Sequence, residues 1–200
     1  MLHVLPTSKI YVYCPAGVTS GGPELLHQLV DKLNNNNKEA YIIYYGTKEH
    51  KIPDAYAAYN IKLAEIIEDK LENIVVVAEG QFDLLYKGIN IQKVLWWLSV
   101  DNFFIIFNRI LSPKDIFKWN VAFGFRNLGS RLIQLLYGNN TFVHNISLKK
   151  ISKMPISHAY QSEYAQNFLL KHNLTSLYPL KDYINTVSYT HLTLPTKRIV

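Results

Sequence analysis

Residues 14–33 read CPAGVTSGGPELLHQLVDKL. Upstream, KIYVYC (9–14) is a β-branched and aromatic run closed by Pro15, the pattern of a buried first strand. Downstream of Pro23, the residues Leu25, Leu26, Leu29, Val30 and Leu33 recur at helical spacing, and Pro23 with Glu24 suits a helix N-terminus. Asn34–Asn37 ends that helix. Strand, glycine-bearing loop and amphipathic helix form the opening of a βα unit. Further out, AYIIYY (40–45), NIVVVAE (73–79) and QKVLWWLSV (92–100) read as strands, and GQFDLLYKG (80–88) reads as a short helix. IKLAEI (61–66) is ambiguous. A helix is expected around 126–137. Another starts at an N-cap Ser162, carries Tyr164, Ala165, Phe168 and Leu169, and stops at Asn173. TSLYPLKDYIN then reads as a last strand and an exit segment. Continuous apolar strands separated by crossovers predict an α/β fold: a Rossmann-like parallel sheet flanked by helices.

The 200 residues suit one domain, and 48% apolar content supplies a sizeable core. Cys14 is the single cysteine, so neither a disulfide framework nor a cysteine metal site is available, and a reducing compartment is expected. MLHVLPTSKIYVY lacks the basic and apolar regions of a signal peptide, and Asp101, Asn102, Asn108 and Arg109 interrupt the most apolar stretch. The net charge of +6 is regional. Residues 1–102 hold nine Lys/Arg against twelve Asp/Glu, whereas residues 103–153 hold eight Lys/Arg against Asp115 alone.

Gly21-Gly22 lies in the first strand-to-helix loop, on the edge where open α/β sheets bind ligands. Without Cβ atoms, the two residues let backbone N–H groups approach a ligand closely, and the helix end adds partial positive charge. Phosphate is the natural guest. Taken alone, a tight turn or close helix–sheet contact explains a Gly-Gly pair better. Neither a P-loop nor a Gly-x-Gly-x-x-Gly pattern is present.

The wider context adds a resemblance. The loop with its PELLHQLVDKL helix, NIVVVAEGQFDLLYKGINIQKVLWWLSVDN, AYQSEYAQNFLLKHNL and LYPLKDYIN together resemble the N-terminal half of bacterial GT-B glycosyltransferases. These are retaining enzymes with two facing Rossmann-like domains. The resemblance spans roughly 9–186 and is poorest in the basic middle. Ala78 departs from it, since the pattern has proline before Glu79. The resemblance implies that Gly21 and Gly22 close over the diphosphate of a nucleotide-sugar donor, a co-substrate; no cofactor and no metal are implied, and no Asp-x-Asp motif occurs. It places Trp97–Asn102 at the interdomain cleft. There Asp101 would accept a proton or bind a sugar hydroxyl, or else serve as an N-cap. Glu79, Trp97, Asn102 and His158 are the candidate acceptor-binding residues, with Gln161 nearby. Trp96 and Trp97 alternate across the sheet, so one at most stacks on a sugar and the other is core. Glu79 otherwise caps the next turn, and a lone histidine is more often structural. His27 reads as surface or partly packed, and Cys14 as a small buried residue.

Residues 103–153 interleave their basic side chains with Phe103, Phe104, Phe107, Phe117, Trp119, Phe123 and Phe125. Three readings stand: a solvated basic face over an aromatic core, an interfacial patch on an anionic membrane, or a nucleic-acid surface. The first has the largest share. The second agrees with lipid-linked acceptors at the inner face of a bacterial plasma membrane. The third ranks last, because no nucleic-acid-binding motif is recognisable.

VSYTHLTLPTKRIV (187–200) is threonine-rich and acid-free. Back-translated, Val187–Thr196 matches a transposon-end adapter used in DNA library preparation, and Lys-Arg-Ile-Val fits an index followed by Val and stop. The expected organisation is therefore an acceptor-side domain at 1–186 and an adapter-derived segment at 187–200. The full enzyme would transfer sugar from a nucleotide-sugar to a saccharide or lipid-linked acceptor in envelope polysaccharide synthesis, in the cytoplasm or peripherally on the membrane. Its donor-binding domain would follow Asn185, leaving this half inactive alone. The alternative is a stand-alone Rossmann-like binding module with a membrane- or nucleic-acid-contacting patch.

Overall fold

A computed structural model of the chain describes residues 2–46, 50–107 and 151–180. Its strands are β1 (Lys9–Pro15), β2 (Glu39–Tyr45), β3 (Ile74–Ala78), β4 (Gln92–Trp97), β5 (Ser157–Tyr160) and β6 (Leu177–Pro179). They form one parallel sheet in the order β2-β1-β3-β4-β5-β6. The helices are α1 (Gly21–Asn35), α2 (Val100–Phe107) and α3 (Glu163–Lys171), with 3-10 segments at Asp54–Tyr56 and Glu79–Lys87. The α/β, Rossmann-like expectation holds.

Both faces of the sheet are covered, which explains the unbroken apolar runs. Alternate residues divide between two cores. Ile10, Val12, Cys14, Ile74, Val76, Val94 and Trp96 face the side on which α1 packs Leu26, Leu29 and Val30. Tyr11, Tyr13, Val75, Val77, Leu95 and Trp97 face the other side, under Phe82, Leu85, Val100, Phe103, Ala165 and Leu169. Among the described residues no helix is long and apolar enough to cross a membrane.

Several local expectations change. β4 ends at Trp97 because Ser99 turns the chain: its Oγ accepts the Asn102 N–H at 3.3 Å and caps α2. Residues 61–66 contribute a single parallel bridge, Ile42 to Leu63. The short helix expected at 80–88 is present as 3-10 turns over Glu79–Lys87, with a break at Gln81. Ser162 does cap α3, its Oγ accepting the Ala165 N–H at 3.2 Å, and Asn173 takes a left-handed φ of 57° just past its end. The expected helix at 126–137, residues 108–150 of the basic segment, and residues 187–200 lie outside the described residues.

The turn before β4 is tightly built. The Asp69 carboxylate accepts the N–H groups of Ile91, Asn90 and Ile89 at 2.8–3.1 Å, and these bonds hold its pKa below the usual range. A Cβ on Gly88 would lie 2.4 Å from Ile91 Cγ2, 3.0 Å from Ile67 Cδ1 and 3.2 Å from Asp69 Oδ1. Ile91 is buried and has nowhere to retreat. Gly88→Ala is therefore expected to destabilise the chain by about 1–3 kcal/mol in urea denaturation. An unchanged midpoint would show that this turn relaxes freely.

Candidate functional site

β1 is followed by β2 on one side and bordered by β3 on the other, so the order of strands reverses between β1 and β3. A crevice at the carboxyl ends of such a pair is the usual ligand position in open α/β sheets. From β1 it receives the loop through Gly22; from β3 it receives Ala78 and Glu79.

The loop after β1 uses its glycines unequally. Gly17 has φ +67°, a left-handed conformation that favours glycine. Gly21 and Gly22 have no such φ. They are the first residues of α1, after an extended Ser20 whose side chain makes no capping bond. A Cβ on Gly21 would meet nothing within 4 Å, and one on Gly22 would meet only Leu98 Cδ1, at an ordinary 3.8 Å. Neither backbone conformation nor packing within the described residues requires glycine at 21 or 22. The turn-or-contact explanation therefore finds no basis among the described residues, and the first N–H groups of a helix have no partner within the helix itself.

Beneath this helix end lies a buried polar cluster, and His27 is at its centre with no exposure. This corrects the expectation of a surface or partly packed residue. Pro23 carbonyl oxygen can only accept, so Nδ1, at 2.7 Å, carries the proton; Nε2 then accepts the Tyr44 hydroxyl at 2.7 Å. The Tyr56 ring lies against the imidazole with centroids 4.1 Å apart. Burial holds His27 below its usual pKa and pushes the adjoining Cys14 thiol up to about 12, which removes it as a nucleophile. The Glu24 carboxylate accepts from the Tyr59 hydroxyl and from Gln28 Nε2.

The residues beyond β3 and β4 separate into internal and external sets. Glu79 is buried, and its two oxygens accept the N–H groups of Leu98 and Ser99 at 3.0 and 3.2 Å. Burial raises its pKa against the opposing effect of those bonds. It ties the end of β3 to the end of β4 instead of presenting its carboxylate to an acceptor. Trp97 is fully buried, among Phe103, Phe168 and His158, and its Nε1–H donates to His158 Nδ1 at 3.2 Å. His158 is 2% exposed. Trp96 is also buried, on the opposite face. The expected sugar-stacking tryptophan and the cleft-facing His158 are thus corrected to an internal pair. Neighbouring β4 and β5 bring them together, and the His158 Nδ1 supplies the acceptor that the buried indole N–H needs.

Asp101 and Asn102 are exposed in the first turn of α2. Ser99 takes the capping role, so Asp101 is not the N-cap; its Oδ1 receives a long 3.5 Å bond from the Tyr164 hydroxyl. Gly21, Gly22, Asp101 and Asn102 therefore share the carboxyl edge, with Leu98 bridging the glycine turn to the β4 loop. Sequence reasoning missed a concavity of about 630 Å³ farther along that edge, lined among the described residues by Tyr160, Glu163, Gln166 and Pro179. The Ser162 cap was the signal that this helix starts there, but the pairing of β5 with β6 was needed to see the hollow. Among the described residues no cluster of three His, Cys, Asp or Glu is placed to hold a metal ion. Protein-family models, curated proteins and solved structures give no match to the chain.

Burial of the two histidines has a pH signature. His158 is pushed down to about 4 and His27 is lowered as well, both by desolvation. A folded value below the unfolded one means that this stability is complete above the usual histidine value of 6.5 and drains as pH falls toward about 4. Each histidine contributes at most about 1.4 kcal/mol per pH unit. Glu79, raised when folded, binds its proton first in the native state and opposes the loss. His158→Gln keeps an acceptor for Trp97 without titrating in this window. It is expected to flatten the pH dependence of the unfolding free energy by about one proton. Identical slopes for both proteins would place the imidazole in contact with water.

Proposed function

We propose that the chain is the acceptor-side half of a GT-B glycosyltransferase that moves sugar from a nucleotide-sugar donor to a saccharide or lipid-linked acceptor in envelope polysaccharide synthesis. The observation carrying this reading is the Gly21-Gly22 pair: it opens a fifteen-residue helix at the β1/β3 switch point, yet nothing among the described residues requires glycine. Glycine there is otherwise unfavourable, costing up to about 1 kcal/mol relative to alanine in a helix. Close approach of a diphosphate to bare backbone N–H groups supplies a reason for it.

On this reading the N–H groups of the glycine turn hold the donor diphosphate as negative charge grows on the leaving group. Asp101 and Asn102, exposed on the same edge, meet acceptor hydroxyls, and Asp101 is the carboxylate able to take a proton there. Glu79 acts indirectly by holding the β4 loop that carries both residues. The nucleoside end belongs to a second domain following Asn185, and the basic segment 103–153 supplies contact with an anionic inner membrane surface.

The test uses protein translated from the uninterrupted reading frame of the source DNA, assayed for acceptor-dependent release of nucleoside diphosphate. Gly22→Ala should keep or slightly raise thermal stability, because its Cβ meets only Leu98. Gly22→Trp should fold, by circular dichroism, and lose transfer by about 100-fold or more as the indole occupies the phosphate position. A folded Gly22→Trp protein with wild-type transfer would sink the phosphate role of this turn. A frame that ends without a donor domain would leave a binding module in its place.

A further inference from the structure

The polar cluster beneath α1 has a direction. The Tyr44 hydroxyl, from β2, donates to His27 Nε2 at 2.7 Å, and the imidazole proton sits on Nδ1. Nδ1–H donates to the Pro23 carbonyl at 2.7 Å. Cys14 Sγ also lies 3.8 Å from Nδ1, a weak contact beside that bond. The Pro23 peptide unit carries the Glu24 N–H, which donates to the Ser20 carbonyl at 2.9 Å. The Ser20 peptide unit in turn carries the Gly21 N–H, which opens the helix and has no partner within it. Every donor in this chain points the same way, from β2 to the glycine turn.

That direction depends on one tautomer. With its proton on Nε2, a neutral imidazole would meet the Tyr44 hydroxyl as a donor and turn a lone pair on Nδ1 toward the Pro23 oxygen, breaking the chain in the middle. Tyr44 holds the needed form, and the Tyr56 ring lies against the imidazole and fixes its plane. Tyr44, His27 and Tyr56 are all buried, so water does not compete for these links. In dry surroundings each hydrogen bond polarises the next, by roughly 10–30% per bond. Satisfying the Pro23 carbonyl does not require the imidazole, because the helix itself supplies the His27 backbone N–H four residues on. What the second donor adds is polarisation of the peptide units that lead to Gly21.

We propose that Tyr44 and His27 are positioning residues for the glycine turn: through the Pro23–Glu24 and Ser20–Gly21 peptide units they orient and strengthen the Gly21 N–H as a donor to an anion. Both are buried, so neither touches the anion. The inference deepens the glycosyltransferase reading, on which it rests for the identity of that anion as a donor diphosphate; the relay itself needs only a phosphate-like group at the turn.

NMR of the nitrogen-labelled full chain at neutral pH, with inorganic pyrophosphate as the probe, tests the relay. In the wild type, His27 should carry its proton on Nδ1, and pyrophosphate should shift the Gly21 and Gly22 amides. Tyr44→Phe keeps the ring and removes the hydroxyl; it should release the tautomer and weaken pyrophosphate binding roughly 3- to 10-fold. His27→Gln, whose amide reaches toward the Nε2 position, should weaken it to the same degree, whereas His27→Asn, which keeps a donor near the Nδ1 position, should stay within about twofold of the wild type. A packing role would penalise both histidine variants alike, since both lose the ring, and that result would overturn the proposal. So would a wild-type proton on Nε2, which is read without any variant having to fold, or equal affinity in the wild type and a folded Tyr44→Phe protein. Absence of any shift at Gly21 and Gly22 would overturn the relay together with the diphosphate role of the turn. An intact relay in a full-length protein that never releases nucleoside diphosphate would keep this inference and remove the enzymatic reading alone.

Discussion

The structure depends on β1 having a strand on each side. Its residues pair with β2 along the whole strand, from Lys9 with Glu39 to Pro15 with Tyr45, and with β3 on the opposite edge. With both edges bonded and both faces covered, Tyr11 through Cys14 are almost entirely removed from water. Strand order can then reverse only at this position. The loop leaving β1 must therefore emerge at the crevice between two diverging crossovers. The glycine turn gains its prominence from topology first and from its own composition second.

Burial elsewhere decides which polar groups remain on the surface. His27, Glu79 and His158 are all inside, and each is bonded to a neighbour that would otherwise be unsatisfied. Leaving a buried donor or acceptor unpaired costs more than a single hydrogen bond contributes, so these pairings restrict how the strand ends are arranged. Glu79 is the clearest case. One carboxylate fixes two successive N–H groups at the end of β4, and the register of Leu98 and Ser99 sets where α2 begins and where Asp101 emerges. Its contribution to a site is the placement of others.

How much of this was legible follows from where each signal resides. Runs such as KIYVYC and NIVVVA declare themselves because two-sided burial makes every residue apolar, and the leucine stripe of α1 carries its period within fifteen residues. Ser162 is readable because a cap acts over three residues. By contrast, WWLSV looks like uninterrupted strand: a serine between Leu98 and Val100 shows its capping role only once the chain has turned. The bond between Trp97 and His158 crosses 61 positions, and His27 meets Tyr44 and Tyr56 from two different elements. No local pattern encodes such partners. The β5–β6 hollow was hidden for the same reason, because β6 is three residues long and exists through its pairing with β5.

Strand order also arranges the proposed chemistry along one edge. Running from β1 through β3 and β4 to β5, the carboxyl ends deliver the glycine turn, the Glu79 tie, Asp101 and then the Glu163–Gln166 pair. Three strand spacings separate the first from the last, roughly 14 Å. The β1 end offers backbone N–H groups and a helix dipole suited to an anion, and the β5 end carries the Glu163 carboxylate. Asp101 stands between them, on the helix that follows β4. On the proposed reading, a donor diphosphate at the β1 end would have the exposed Asp101 carboxylate farther along the same edge. That ordering follows from the parallel sheet alone, since every helix N-terminus in such a sheet meets the same edge and only the residues of each first turn differ.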